Sequence, residues 1–253
     1  MGLKLVEIFR DSLMLLWKEP KVFVPRLITT AIYTLFIFYS AKLTSEILTM
    51  GVTFKNILIL GILSPILLGI DIVSYGMYPK IVTEYYEKKR INLTRILLET
   101  LKSWKILLTF GIIVMIFLLI FIVLLSILYL AVLIMGTFFI FVLVTIFAII
   151  ILLVFALLSF FIMPVGILDK QSIRNTLKKG IDLSIKYKAD VLKINLVFMM
   201  LAIITMIIAT LSEFSGILAY LAFAIFLIVR LIQAIIYTYI SVVNPSVYLK
   251  LKE

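Results

Sequence analysis

The sequence of 253 residues contains no cysteine and no histidine. That excludes disulfides, thiolate nucleophiles, serine–histidine relays, and metal sites built on imidazole or thiolate. Charge is scarce as well: Asp, Glu, Lys and Arg make up 15% of the chain, against about 25% in ordinary soluble domains. Between Ile106 and Gly166 there is no charged residue at all. One helix over that stretch would be about 90 Å long, some three times the hydrocarbon thickness of a bilayer, so it reads as two spans joined by a turn.

What is present is apolar. Hydrophobic residues make up 64% of the chain and the mean hydropathy is +1.27, more than the core of a water-soluble domain of this length can hide. The formal net charge is +11, but its distribution does not suit nucleic acid. Of 24 Lys and Arg, 21 fall in four segments between apolar runs, 1–26, 79–105, 169–193 and 244–253; only Lys42, Lys55 and Arg230 lie elsewhere. Basic segments alternating with apolar spans are the positive-inside pattern, which places them on the cytoplasmic side, close to anionic lipid headgroups. The start lacks the short apolar core and small-residue cleavage site of a signal peptide.

Taken in order, residues 3–19 are expected to form a surface helix with an apolar stripe of Val6, Phe9, Leu13 and Leu16, and Trp17 at interfacial depth. Spans are expected at about 22–41, 56–78, 106–132, 137–163, 194–211 and 217–243. The first outside loop is 42–55. The second span ends at Tyr78-Pro79 and the sixth at Asn244-Pro245, because proline disrupts a helix interior. A second surface helix covers about 91–105, with Asn92 as its N-cap and Leu93, Ile96 or Leu97, Leu101 and Trp104 as its apolar face. The turn of the middle hairpin falls near Leu133–Thr137, with Gly136 as breaker. A third surface helix covers about 172–189, where Ile173, Leu177, Ile181 and Ile185 recur every four residues. Arg174, Lys178, Lys179, Lys186 and Lys188 occupy the rest of its surface. It feeds directly into the fifth span, and Ser212 to Gly216 form the next outside turn.

Surface helix, span, turn and span are thus used three times, with a period of about 80–90 residues. Thr100-Leu101-Lys102 echoes Thr176-Leu177-Lys178, and Trp17-Lys18 echoes Trp104-Lys105. Three units of one orientation differ from the inverted repeats of many secondary transporters. The run Met163-Pro164-Val165-Gly166-Ile167-Leu168-Asp169, followed by Thr176-Leu177-Lys178-Lys179-Gly180-Ile181, resembles a motif of the multispanning membrane domain fused to some glycerophosphodiester phosphodiesterases and of its stand-alone prokaryotic relatives. There a span leaves through a short acidic turn into a basic helix of the form Ala-Leu-Lys-Arg-Ser-Trp; here Gly and Ile stand for Ser and Trp. The resemblance implies a fold and no activity, because the soluble phosphodiesterase chemistry has no counterpart in this sequence.

Two ionisable residues sit deep in spans, Asp71 and Arg230. A charge near the bilayer centre costs about 2.5–3.5 kcal/mol on insertion scales and marks a site facing protein or water. Counted from the outer turns the two lie at matching depth, which predicts a salt bridge between the second and sixth spans. Ser74, Tyr75 and Tyr78 extend the face of Asp71; Gln233, Tyr237 and Ser241 extend that of Arg230. The pair either holds helices in register or lines a substrate or ion site.

The expectation is therefore an all-α, polytopic integral membrane protein of one domain, with six transmembrane helices and three amphipathic cytoplasmic-side surface helices. It would be multi-pass in the cell membrane with both termini cytoplasmic. Enzymatic activity, cofactors and metals are not expected, since no nucleophile, base and metal constellation can be assembled. The function is expected to be handling of lipid or a small solute around the Asp71–Arg230 pair, or alternatively a membrane scaffold that binds a partner subunit. Expected partners are anionic lipid headgroups at Arg174, Lys178, Lys179 and Lys186, and a membrane protein or a second copy of the chain.

Overall fold

The computed structural model describes residues 4–51, 53–135, 138–214 and 219–252. Among them every regular element is helical. The order is α1 (Leu5–Lys18), α2 (Val24–Met50), α3 (Phe54–Tyr86), α4 (Leu93–Leu101), α5 (Trp104–Met135), α6 (Phe138–Ser159), α7 (Ile162–Asp169), α8 (Ile173–Lys186), α9 (Lys188–Phe214) and α10 (Ala219–Lys250). Six segments are long and apolar enough to cross a membrane: Pro20–Ser40, Gly61–Tyr86, Trp104–Ile134, Phe139–Asp169, Lys188–Ile207 and Phe223–Lys250. Gly136, Thr137, Ser215 and Gly216, assigned to turns from the sequence, lie outside the described residues.

Several expected boundaries are corrected. The loop over 42–55 contracts to three residues: α2 runs to Met50, and Thr53 caps α3 by accepting from the Asn56 N–H at 3.3 Å. Neither Tyr78-Pro79 nor Asn244-Pro245 ends a helix, for Pro79 lies inside α3 and Pro245 inside α10. An internal proline loses one backbone hydrogen bond. Beyond each proline, however, the continuing helix buries Ile81 and Val82, or Val247 and Tyr248, at 0–1% exposure, and burial of that size offsets the lost bond. The fourth span breaks at Phe160–Phe161, dividing α6 from α7. Asn244 Nδ2 donates to the carbonyl oxygen of Phe160 at 2.7 Å, supplying a donor where the helix is interrupted. The fifth helix continues to Phe214, through Ser212 and Glu213.

The three units pack as a ring. Each hairpin pairs its own two long helices, α2 with α3, α5 with α6, and α9 with α10. The second helix of each unit then meets the first of the next: α3 with α5, α6 with α9, and α10 with α2. The same cyclic rule places the short helices, α4 on α3, α8 on α7, and α1 on α10. The proline-bearing segments of α3, α7 and α10 touch one another at the centre, with Pro79, Pro164 and Pro245 spaced by 85 and 81 residues. Their buried side chains, among them Tyr78, Phe161, Met163, Val165, Val243 and Tyr248, form the core.

The bundle buries only part of the apolar stripes of the short helices, Leu16 and Ile96 among them. Thr176, Gly180 and Ser184 are the buried residues of α8, whereas Ile173 and Ile185 are exposed. In α1 the buried face is Ile8, Ser12, Leu15 and Leu16, and Val6, Leu13 and Trp17 point outward. In α4 it is Ile96 and Thr100, with Leu97, Leu101 and Trp104 outward. In α8 small residues, which let helices approach closely, face the bundle in place of the bulky apolar stripe. Ser12, Thr100 and Thr176 are each fully buried on the docking face of their short helix. Ser12 Oγ donates to Ser246 Oγ at 3.4 Å, and Thr100 Oγ1 to the Gly76 carbonyl at 3.5 Å.

Gly166 shows how tight these contacts are. A Cβ there would lie 2.4 Å from Ile106 Cγ2 and 3.1 Å from Thr176 Cγ2. The Ile106 methyl sits on a β-branched carbon that is stiff about χ1 and yields little. Gly166→Val is expected to destabilise the protein by about 2 kcal/mol. Gly69→Ala, where a Cβ meets nothing within 4 Å, is expected to be neutral or to gain up to about 1 kcal/mol from helix propensity. Thermal unfolding followed by circular dichroism in detergent compares the two; equal losses would contradict the close packing.

Candidate functional site

The most polar region within the long helices lies between α2, α3 and α10. Arg26 sits in the first turn of α2, behind Pro25, whose missing N–H had no helical partner at that position. Its guanidinium reaches across the bundle: Nη1 donates to Asp71 Oδ1 on α3, and Nε and Nη2 donate to Ser241 Oγ on α10 at 3.1 and 3.0 Å. The Tyr75 ring lies 5.8 Å from the Arg26 guanidinium carbon. Tyr78 Oη donates to the Val22 carbonyl at 3.1 Å, anchoring the entry to α2 against α3. One arginine thus ties together three helices.

The salt bridge expected between Asp71 and Arg230 does not form; the partner of Asp71 is Arg26. Arg230 instead donates through Nε to Thr34 Oγ1 at 3.3 Å and through Nη1 to Gln233 Oε1 at 2.7 Å. Its guanidinium carbon stands 5.9 Å from the Phe226 ring. The reason is register. Along α2, Thr34 is eight residues beyond Arg26, roughly 12 Å at 1.5 Å per residue. Counting depth from the turns takes the two hairpins as equally long, whereas α2 runs on to Met50, nine residues past the expected end of its span. Arg26 escapes a reading by charge clusters because it closes the basic segment 1–26, although the expected span 22–41 contains it.

Asp71 and Arg230 nevertheless line the same cavity, of about 270 Å³. Arg26, Thr29, Thr30 and Tyr33 form its α2 wall, and Gln233 and Tyr237 continue the α10 wall. Ser74, placed by the sequence on the same face, is buried with its Oγ bonded to nothing among the described residues. Beyond Arg230, the Phe38 ring meets Phe223 in a tilted contact and Phe226 edge to face, at centroid distances of 5.9 and 5.5 Å, one turn past Thr34. Asp71 neutralises Arg26. Among the described residues no carboxylate pairs with Arg230. The cavity therefore has one cation in excess, with hydroxyl and amide groups around it.

A second polar assembly joins the end of α7 to the middle of α8 and the end of α10. Asp169 ends α7, where a carboxylate meets the negative end of the helix dipole. It accepts from Lys179 Nζ and Tyr248 Oη, each at 2.6 Å, and from Lys252 Nζ. The equivalent residue of the first unit, five positions after its proline, is Glu84, which pairs with Arg95 of α4. The third unit has Lys250 there.

Of the residues expected at lipid headgroups, Arg174 is exposed, and Lys178, Lys179 and Lys186 surround an open cleft of about 340 Å³ that also contains Asp182. Lys179 is engaged by Asp169. A larger basic cleft lies between α4 and α7 and is not foreseen from the sequence: Lys80, Lys102, Lys105 and Lys170 gather there around Glu99. Lys80 donates to Glu99 at 2.6 Å, and this bond, with the Lys80 charge, holds the Glu99 carboxyl below its ordinary range. The signal is Lys80 beside Pro79, which reads as loop when the helix is ended there.

Comparison with protein-family models, with curated proteins and with solved structures found no match to this chain.

Proposed function

We propose that the chain is a six-span protein of the cell membrane, with both termini and the three short helices on the cytoplasmic side, that binds a small anion or an anionic lipid headgroup in the cavity between α2, α3 and α10. The basic segments and the six apolar helices support the orientation. The observation that carries the binding reading is Arg230: a cation within a span, facing a cavity, with hydroxyl and amide partners only. A half-buried cation in a span without an ion pair of its own is costly, and an anionic ligand between Arg230 and the hydroxyls of Thr30, Tyr33 and Tyr237 would supply the missing charge.

The ligand would be handled by binding and release, not chemistry, since the lining offers no nucleophile paired with a base. The resemblance to the phosphodiesterase-linked membrane domain fits this reading at the level of fold. A scaffold whose polar core serves packing alone is the competing reading. It predicts a cavity that holds nothing.

Native mass spectrometry of the protein released from lipid nanodiscs tests the proposal. A defined small mass on the protein is expected, lost in Arg230→Gln and kept in Lys178→Gln, which removes the same charge from α8. Bare protein in the wild type, or an Arg230→Gln variant that retains every mass the wild type carries, in the same number, would overturn it.

A further inference from the structure

The structure carries a second place where a ligand fits, on the opposite side of α3. Between α3 and α5 runs an apolar groove of about 460 Å³, lined by Pro65, Gly69 and Ile72 on one side and Leu108, Gly111 and Met115 on the other. Glycine shapes both walls. A Cβ at Gly69 would meet nothing within 4 Å, and one at Gly111 would approach Ile72 Cδ1 at 3.0 Å. Along α5 the groove extends from Trp104 to Met115, roughly 16 Å at 1.5 Å per residue. That is half of a hydrocarbon core of about 30 Å, the depth of one leaflet.

At its basic end the groove reaches Trp104, and Trp104 also lines the cleft of about 620 Å³ that holds Lys80, Lys102, Lys105 and Lys170. Lys80 is spent on Glu99, which leaves three ammonium groups in excess. Lys170 is held at φ 51°, in the left-handed region that terminates α7. Both volumes fall in the range of small-ligand sites, about 300–1,000 Å³. Their sequence along the bundle is apolar slot, indole, cations, and an anionic phospholipid presents the matching order of acyl chain, glycerol, phosphate.

We infer that this groove and cleft form one site for an anionic glycerophospholipid of the leaflet next to the short helices. One acyl chain lies between α3 and α5, the glycerol backbone sits against Trp104, and the phosphate is held by Lys102, Lys105 and Lys170. The site rests on the membrane-spanning reading and is independent of the Arg230 cavity. It differs from general attraction to a basic surface because its selectivity needs the slot as well as the charge.

The test uses the full chain in nanodiscs of equimolar phosphatidylglycerol and phosphatidylcholine, with retained lipid counted by native mass spectrometry. The wild type is expected to keep one phosphatidylglycerol in preference to phosphatidylcholine. Lys102→Gln with Lys170→Gln should reduce that preference about tenfold. Gly69→Leu, which fills a space the fold leaves empty, should reduce retention of either lipid. Lys18→Gln with Lys21→Gln removes equal charge from two exposed residues at the end of α1 and should change nothing, and Arg230→Gln should leave the lipid in place. Loss in the Lys18 and Lys21 control equal to that in the Lys102 and Lys170 pair would reduce the site to nonspecific charge. Full retention in a folded Gly69→Leu, or competition by glycerol 3-phosphate as effective as by the lipid, would remove the acyl slot. Should Gly69→Leu not fold, the two lysine pairs decide alone. A mass lost in Arg230→Gln but kept in Gly69→Leu belongs to the other cavity, so the two proposals fail separately.

Discussion

Arg26→Gln is expected to cost about 3 kcal/mol of stability, at the lower end of what breaking a buried ion pair costs. The substitution leaves the Asp71 carboxylate among α2, α3 and α10 without its cation, and it removes both bonds to Ser241. Arg26 is 13% exposed and Asp71 36%; the opening of Asp71 onto the cavity keeps the cost from being larger. Adding Asp71→Asn should restore most of the loss, because a neutral pair needs no counter-charge. Arg230→Gln combined with Asp71→Asn should be additive, since Arg230 bonds to Thr34 and Gln233 and not to the carboxylate. Double-mutant cycles of thermal stability in detergent read both couplings. Coupling to Arg230 without coupling to Arg26 would mean that the register between α2 and α10 is wrong.

Asp169→Ala is expected to cost about 2–3 kcal/mol. The Tyr248 hydroxyl, on a residue 1% exposed, would lose its acceptor, which costs about 1–3 kcal/mol for a buried donor. Lys179 and Lys252 keep 40% and 46% exposure and can be solvated, so their share is small. Tyr248→Phe should recover a good part of the loss in the Asp169→Ala background. Limited proteolysis offers a second readout, because Asp169 joins the end of α10 to α7 and α8: the variant should be cut after Val247 well before the wild type. A loss as small as that of Lys179→Ala alone would mean that Asp169 does not join the three helices.

The six long helices are legible in the sequence because length and apolarity suffice to mark them, and the charge-free stretch 106–166 can only be a hairpin. The N-cap Asn92 is legible too, accepting from the Arg95 N–H at 3.1 Å. Helix ends at proline are not. Pro79 and Pro245 carry local signals for stopping, and only the burial of Ile81, Val82, Val247 and Tyr248 beyond them reverses those signals. The buried faces of the short helices are hidden for a different reason. Periodicity finds a hydrophobic stripe, but beside lipid the apolar face and the protein-facing face are different things, and Thr176, Gly180 and Ser184 carry no hydrophobic signal. In the cavity the sequence marks Asp71, Arg230, Gln233 and Tyr237 as residues of polar faces. It does not mark Arg26, whose partner on another helix is 45 positions away.

The ring of three units has an unequal seam. Helices α4 and α8 each settle on a helix completed just before them, so their docking partners exist as soon as they leave the ribosome. Helix α1 is made first and docks on the last, Ser12 to Ser246 across 234 residues. Leu15 belongs to a cluster with Tyr78 and Ile81 of α3, but the Ile8 and Ser12 end of the face waits for α10. The nascent chain therefore persists as an open arc of hairpins, and closure is a single late event that waits for the final helix. A chain truncated anywhere before α10 would lose the clasp as well as a helix, leaving both edges of the arc exposed to whatever neighbour can fill them.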